Sequence, residues 1–156
     1  MRKFVVLTTL MAAMTAVLIL PISTVAAATT TVTFNIAGIE YDANFAQSSS
    51  AGAAVSVSRT EFGVWNAVVP HDLGAITGGT FSFRSKQHTF DGTITGGTFT
   101  PNAGGTCAKT TFGVHGDLSG GGSFDMTLTH YGFTKDGTCV VYLATVRGTA
   151  TLAFPS

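Results

Sequence analysis

The chain has 156 residues with 8 basic and 8 acidic side chains, and only 10% of its residues are charged. So even and sparse a charge creates no field that would gather nucleic acid or an anionic membrane, and neither is expected as a partner. With 19 glycines, abundant threonine and no long run of strong helix formers after residue 28, the composition predicts an all-β fold made soluble by hydroxyl and amide groups.

Arg2 and Lys3 precede an uncharged apolar run from Phe4 to Leu20, followed by Pro21 and small residues ending in Ala26-Ala27-Ala28. A positive segment, an apolar segment and an A-x-A-like site are the parts of a secretory signal peptide. Residues 1–28 are therefore expected to be removed. Residues 29–156 then form a single all-β domain, secreted and extracellular or associated with the cell surface, with no stable membrane insertion after cleavage.

From Thr31 the residues alternate. Val32, Phe34 and Ile36 share a face, and Gly38 is read as a bulge that shifts the phase. Ile39, Tyr41, Ala43 and Phe45 would then continue the apolar side, with Glu40, Asp42 and Asn44 on a solvated one. Gln47 to Gly52 reads as a polar loop. Val55 to Phe62 and Val64 to Val69 read as short strands stopped by Pro70, with a turn at His71 to Gly74. Trp65, beside polar residues, is the aromatic best placed for an exposed carbohydrate contact, with core burial as the competing reading.

The hexapeptide Ile-Thr-Gly-Gly-Thr-Phe occurs at residues 76–81 and 94–99, with a looser copy at 118–124. Such glycine pairs are either hairpin turns or kinks where a strand bends around a corner. Phe81 and Phe83 lead through a turn at Ser85 to His88 into Phe90 and Ile94, a hairpin. Phe112, Val114 and Leu118, then Phe124, Met126 and Leu128, continue the apolar face. His130 falls on that face, so it is expected to point inward. Asp136-Gly137 is a strong two-residue turn signal. It would set Tyr131 opposite Tyr142, Phe133 opposite Val140 and Leu143 opposite His130. The last strand, Cys139 to Phe154, begins as an apolar run that suggests cover on both faces.

Cys107 and Cys139 are the only cysteines, and an even count in an exported chain predicts a disulfide, with Cys107 in a loop that curls over the rim. The recurring short turns and glycine kinks predict an antiparallel meander closing into a small β-barrel of about eight strands; a two-sheet β-sandwich is the alternative.

Gly116-Asp117-Leu118-Ser119-Gly120-Gly121 resembles the serine-protease string GDSGG with one residue inserted, which moves the serine from its oxyanion amides. No phosphate loop, zinc-protease motif or calcium loop occurs, so no cofactor or metal is expected and no catalytic residue is assigned. Asp117 and Asp125 flank a glycine turn and would face each other, His115 would face outward, and His71 and His88 would be solvent-facing. Three functions compete. The first is a non-enzymatic protein binding a small molecule, glycan or surface component through His130, Trp65, Tyr131 and Tyr142. The second is a structural or interaction module of an envelope or matrix, including an inhibitor. The third is a barrel enzyme with His130 in an internal pocket.

Overall fold

The computed structural model describes residues 29–44, 46–72 and 74–155. The expected signal peptide lies outside the described residues. Nine antiparallel strands follow in chain order: β1 (Thr29–Asn44), β2 (Gln47–Ser56), β3 (Phe62–Asp72), β4 (Ala75–Ile76), β5 (Thr80–Ser85), β6 (Thr89–Pro101), β7 (Lys109–Leu118), β8 (Gly122–Lys135) and β9 (Thr138–Pro155). Their hydrogen bonds run in a ring, because β9 pairs with β1, β2 with β3, β3 with β5 and β5 with β6. The all-β antiparallel expectation is met.

One ladder position of the ring is filled by two strands. β5 pairs with β3 along one half, and β4 bridges β3 to β6 along the other. The first Ile-Thr-Gly-Gly-Thr-Phe copy makes that break. Gly79 has a φ of 120°, and a Cβ there would meet the Val68 carbonyl oxygen at 2.1 Å, so only glycine fits. The second copy stays within β6, with a bulge between Ile94 and Gly96, and the loose third copy turns β7 into β8. The same string thus forms a corner and a bulge.

Inward-facing side chains build one core. Phe34, Phe81, Phe83, Phe124 and Leu152 are fully buried. Their rings meet closely, Phe34 on Phe83 at 4.4 Å and Phe81 on Phe124 at 5.6 Å. Burying a phenylalanine stabilises by about 1.5–3 kcal/mol, so these rings are the chief apolar contribution to the fold.

The β1 reading needs correction. The phase does not shift at Gly38; the irregularity lies between Glu40 and Asp42. Ile39 and Tyr41 are exposed and Glu40 points inward. Gly38 is required by close packing, since a Cβ there would lie 2.1 Å from the Ala51 carbonyl oxygen and 2.9 Å from the Trp65 ring. Gln47 to Gly52 is strand, its short side chains letting Ser48, Ser49 and Ser50 pack inward and sideways under their neighbours. β3 also continues through Pro70 to Asp72. Pro70 is paired with Gln47, and its carbonyl accepts from the Thr77 amide at 3.2 Å, so the missing amide does not end the strand.

At one end β8 and β9 extend past their neighbours as a two-stranded arm. β7 leaves β8 at Tyr131, and β1 leaves β9 at Thr145. The arm carries Phe133, Val140, Val141, Tyr142 and Leu143, all exposed, which overturns the expectation of cover on both faces. A bulge between Tyr131 and Gly132 shifts the expected register by one residue. Phe133 does face Val140, but Tyr131 faces Leu143 and His130 faces Ala144. Cys107, in the loop before β7, reaches Cys139 at disulfide distance with a Cα separation of 5.5 Å.

Candidate functional site

The inside of the ring is packed rather than hollow. The enclosed space between Ser48, Ser50, Phe99, Met126 and Val146 amounts to about 10 Å³, room for about one water. Trp65 lies within this core at 2% exposure, its Nε1 donating to the Ala53 and Ala37 carbonyls at 3.1 and 3.3 Å. The exposed stacking role is therefore corrected: a large ring with two carbonyl acceptors within reach is better buried than wet.

Polar groups close the core at both ends. At the arm end Glu40, its side chain 3% exposed, accepts a hydrogen bond from Ser48 Oγ and faces His130 Nε2 at 2.7 Å. His130 does point inward. His71 sits nearby, buried and stacked on Phe99 with ring centroids 4.0 Å apart. Burial pushes its imidazole below the ordinary value of 6.5, against the opposing pull of the Glu40 and Asp72 carboxylates. Its Nδ1 is buried with no hydrogen-bond partner among the described residues. The expected solvent-facing turn is thus wrong for His71, because β3 runs on past Pro70.

At the opposite end the arrangement recurs. Glu61 is buried, accepts from Ser85 Oγ and lies 3.0 Å from His88 Nδ1. His88 stacks on Phe154 at 4.3 Å and is not simply solvent-facing. In both clusters the carboxyl is the group that serine and histidine share; Ser85 Oγ meets the His88 backbone, accepting from its amide at 2.8 Å, and neither serine bonds an imidazole among the described residues. That order differs from a nucleophilic triad, in which histidine lies between serine and acid. Val55 to Phe62 is not one strand: β2 ends at Ser56 and β3 begins at Phe62, so Glu61 closes a turn, which is why the sequence reading missed it.

A roomier concavity lies outside the ring. A groove of about 290 Å³ crosses β6 to β9, lined by Thr98, Thr100, Gly113, His115, Asp125, Thr127 and Arg147, with the backbone of Val114, Met126 and Gly148 beneath. Register makes it: Thr98, His115, Asp125 and Thr149 form one outer row, and Thr100, Gly113, Thr127 and Arg147 the next. Gly113 supplies the depression. A Cβ there would come no nearer than 4.0 Å to any atom, the Thr100 carbonyl oxygen, so the missing side chain leaves open space. His115 Nδ1 lies 2.8 Å from Asp125 Oδ1, and its Nε2 lies 3.6 Å from Asp117 Oδ1. The two aspartates therefore sit on either side of His115, and Asp117 pairs with Ser123 rather than Asp125.

The structure does not gather the four sequence-predicted ligand residues. His130 and Trp65 are core, while Tyr142, at 66% exposure, is on the arm, with Tyr131 at its base. Arg147 was missed because it is a lone cation in an apolar strand. The row that gives it meaning exists only once β6 to β9 are paired. No protein family, no curated protein and no solved structure matches the chain.

Proposed function

We propose that the protein is a secreted, non-enzymatic binding domain, a small closed β-barrel with a solid core that holds a glycan or small polar ligand in the external groove across β6 to β9. The observation that carries this reading is the contrast in space: about 290 Å³ outside, edged by convergent hydroxyl, imidazole, carboxylate and guanidinium groups, against about 10 Å³ inside. The paired cysteines accord with an oxidising, extracellular setting. Glycan-array binding by the wild-type protein and by Gly113→Val tests it. A set of glycans retained by the first and lost by the second is expected; equal retention by both overturns the groove.

A second reading, a structural or protein-interaction module, is favoured by the apolar side chains on the arm and by Ile39, Tyr41, Phe62 and Val64 on the outer face of β1 to β3. Catalysis at His130 in an internal pocket has less support, since the interior space of about 10 Å³ is too small for a substrate and His130 does not line it.

A further inference from the structure

We infer that the groove takes an acidic saccharide, a ligand whose carboxylate lies a few bonds from free hydroxyl groups; this deepens the groove reading above and rests on it. The groove sets two opposite chemistries on neighbouring strands, β8 and β9. Arg147 stands on β9 with no carboxylate at ion-pair distance among the described residues, and its register neighbours are Thr127 and Ala37. A guanidinium is a planar fork of donors that matches a carboxylate bidentately. Diagonal to it on β8, Asp125 spends one oxygen on His115 Nδ1, at 2.8 Å, and its second oxygen is free of protein partners among the described residues. That oxygen accepts from a hydroxyl.

The Thr127 hydroxyl stands beside both groups, paired with Arg147 and two residues from Asp125, and across the gap left by Gly113 the β6 hydroxyls of Thr98 and Thr100 complete the lining, each able to donate and accept. A neutral sugar would leave the Arg147 charge unmatched. A doubly charged phosphate ester would meet Asp125 and Asp117 beside its site. Asp125 and Arg147 occupy diagonal positions on neighbouring strands, so roughly 7–8 Å separates their backbones. A sugar acid spans that interval, whereas the charges of a free amino acid sit on one carbon and reach one of the two groups only.

Calorimetric titration of the purified protein with glucuronate, glucose and glycine tests the inference. Glucuronate is expected to bind at least tenfold more tightly than glucose, with no heat from glycine. Arg147→Gln, an exposed change that leaves the melting temperature in place, is expected to bring glucuronate down to the glucose level. Equal binding of the two sugars with no effect of Arg147→Gln, no binding of glucuronate at tens of millimolar, or binding of glycine overturns the acidic-saccharide assignment. If Gly113→Val then still abolishes sugar binding, the groove itself stands. If folded Gly113→Val binds as wild type does, the groove reading falls. An oligogalacturonate held more tightly than the monosaccharide assigns the carboxylate to a polymer chain, and one held equally or less assigns it to a free sugar acid.

Discussion

Glu40 is an acid placed inside an apolar ring, and its two partners explain how it is tolerated. An isolated buried carboxyl would be expensive, but Ser48 and His130 both engage it. Removing His130 leaves Glu40 Oε2 without its partner while Ser48 still holds Oε1, so His130→Ala is expected to destabilise the protein by about 1–3 kcal/mol in urea unfolding. Because His130 contacts no groove residue, the same variant is expected to bind ligand as wild type does. His71 gives a pH dependence with a definite sign. Its folded pKa is lowered from 6.5 by burial, so the unfolded chain binds more protons below that value. The His71 contribution to stability is therefore full above about pH 6.5 and is lost progressively as the pH falls below it. Urea midpoints measured from pH 7.5 to 5 should decline, and His71→Phe should flatten the part of the decline that His71 causes.

Strands whose outer residues are polar and inner residues apolar were readable directly: Phe124, Met126, Leu128 and His130 point inward as their alternation requires. β1 was not, because three things coincide there. Gly38 mimics a bulge, Ile39 and Tyr41 are apolar yet exposed, and the acid opposite them is buried. Alternation identifies a two-sided strand but does not say which side is inside when apolar residues occupy both. The serine run in β2 was illegible for a related reason, since its burial follows from neighbours on β1 and β3, 5 to 21 residues away. The β8–β9 arm shows the limit of turn chemistry, which fixed the pairing from Asp136-Gly137 to Phe133 and Val140 and then lost one residue at the bulge. The pair Cys107 and Cys139 anchors the arm to the loop before β7. Replacing both cysteines by serine is expected to lower stability by about 3–4 kcal/mol without unfolding the ring. Hydrogen exchange should then rise first at Val140 to Leu143, whose β9 edge has no partner in β1.

Over the whole molecule, the rings that fill the interior move any binding role to the outer surface. The ring of hydrogen bonds leaves no long edge strand open along β1 to β7 among the described residues, so the groove, the arm and the apolar outer face of β1 to β3 are the surfaces open to other molecules. The groove can be closed without touching the core. Gly113 has an ordinary extended backbone and open space over it, so Gly113→Val is expected to change stability by no more than about 0.5 kcal/mol while removing the depression. The groove could not be found in the chain by motif, because Thr98, Gly113, Asp125 and Arg147 come from four strands and meet only through their register. Amide chemical-shift mapping of the isotope-labelled protein during a glucuronate titration addresses the central claim most directly. Saturable shifts centred on Thr98, Gly113, Thr127, Arg147 and Gly148 are expected, with the amides around His130 and Tyr142 unmoved. Shifts centred on the arm or on the core around Trp65 and His130, with the groove amides silent, would contradict that claim.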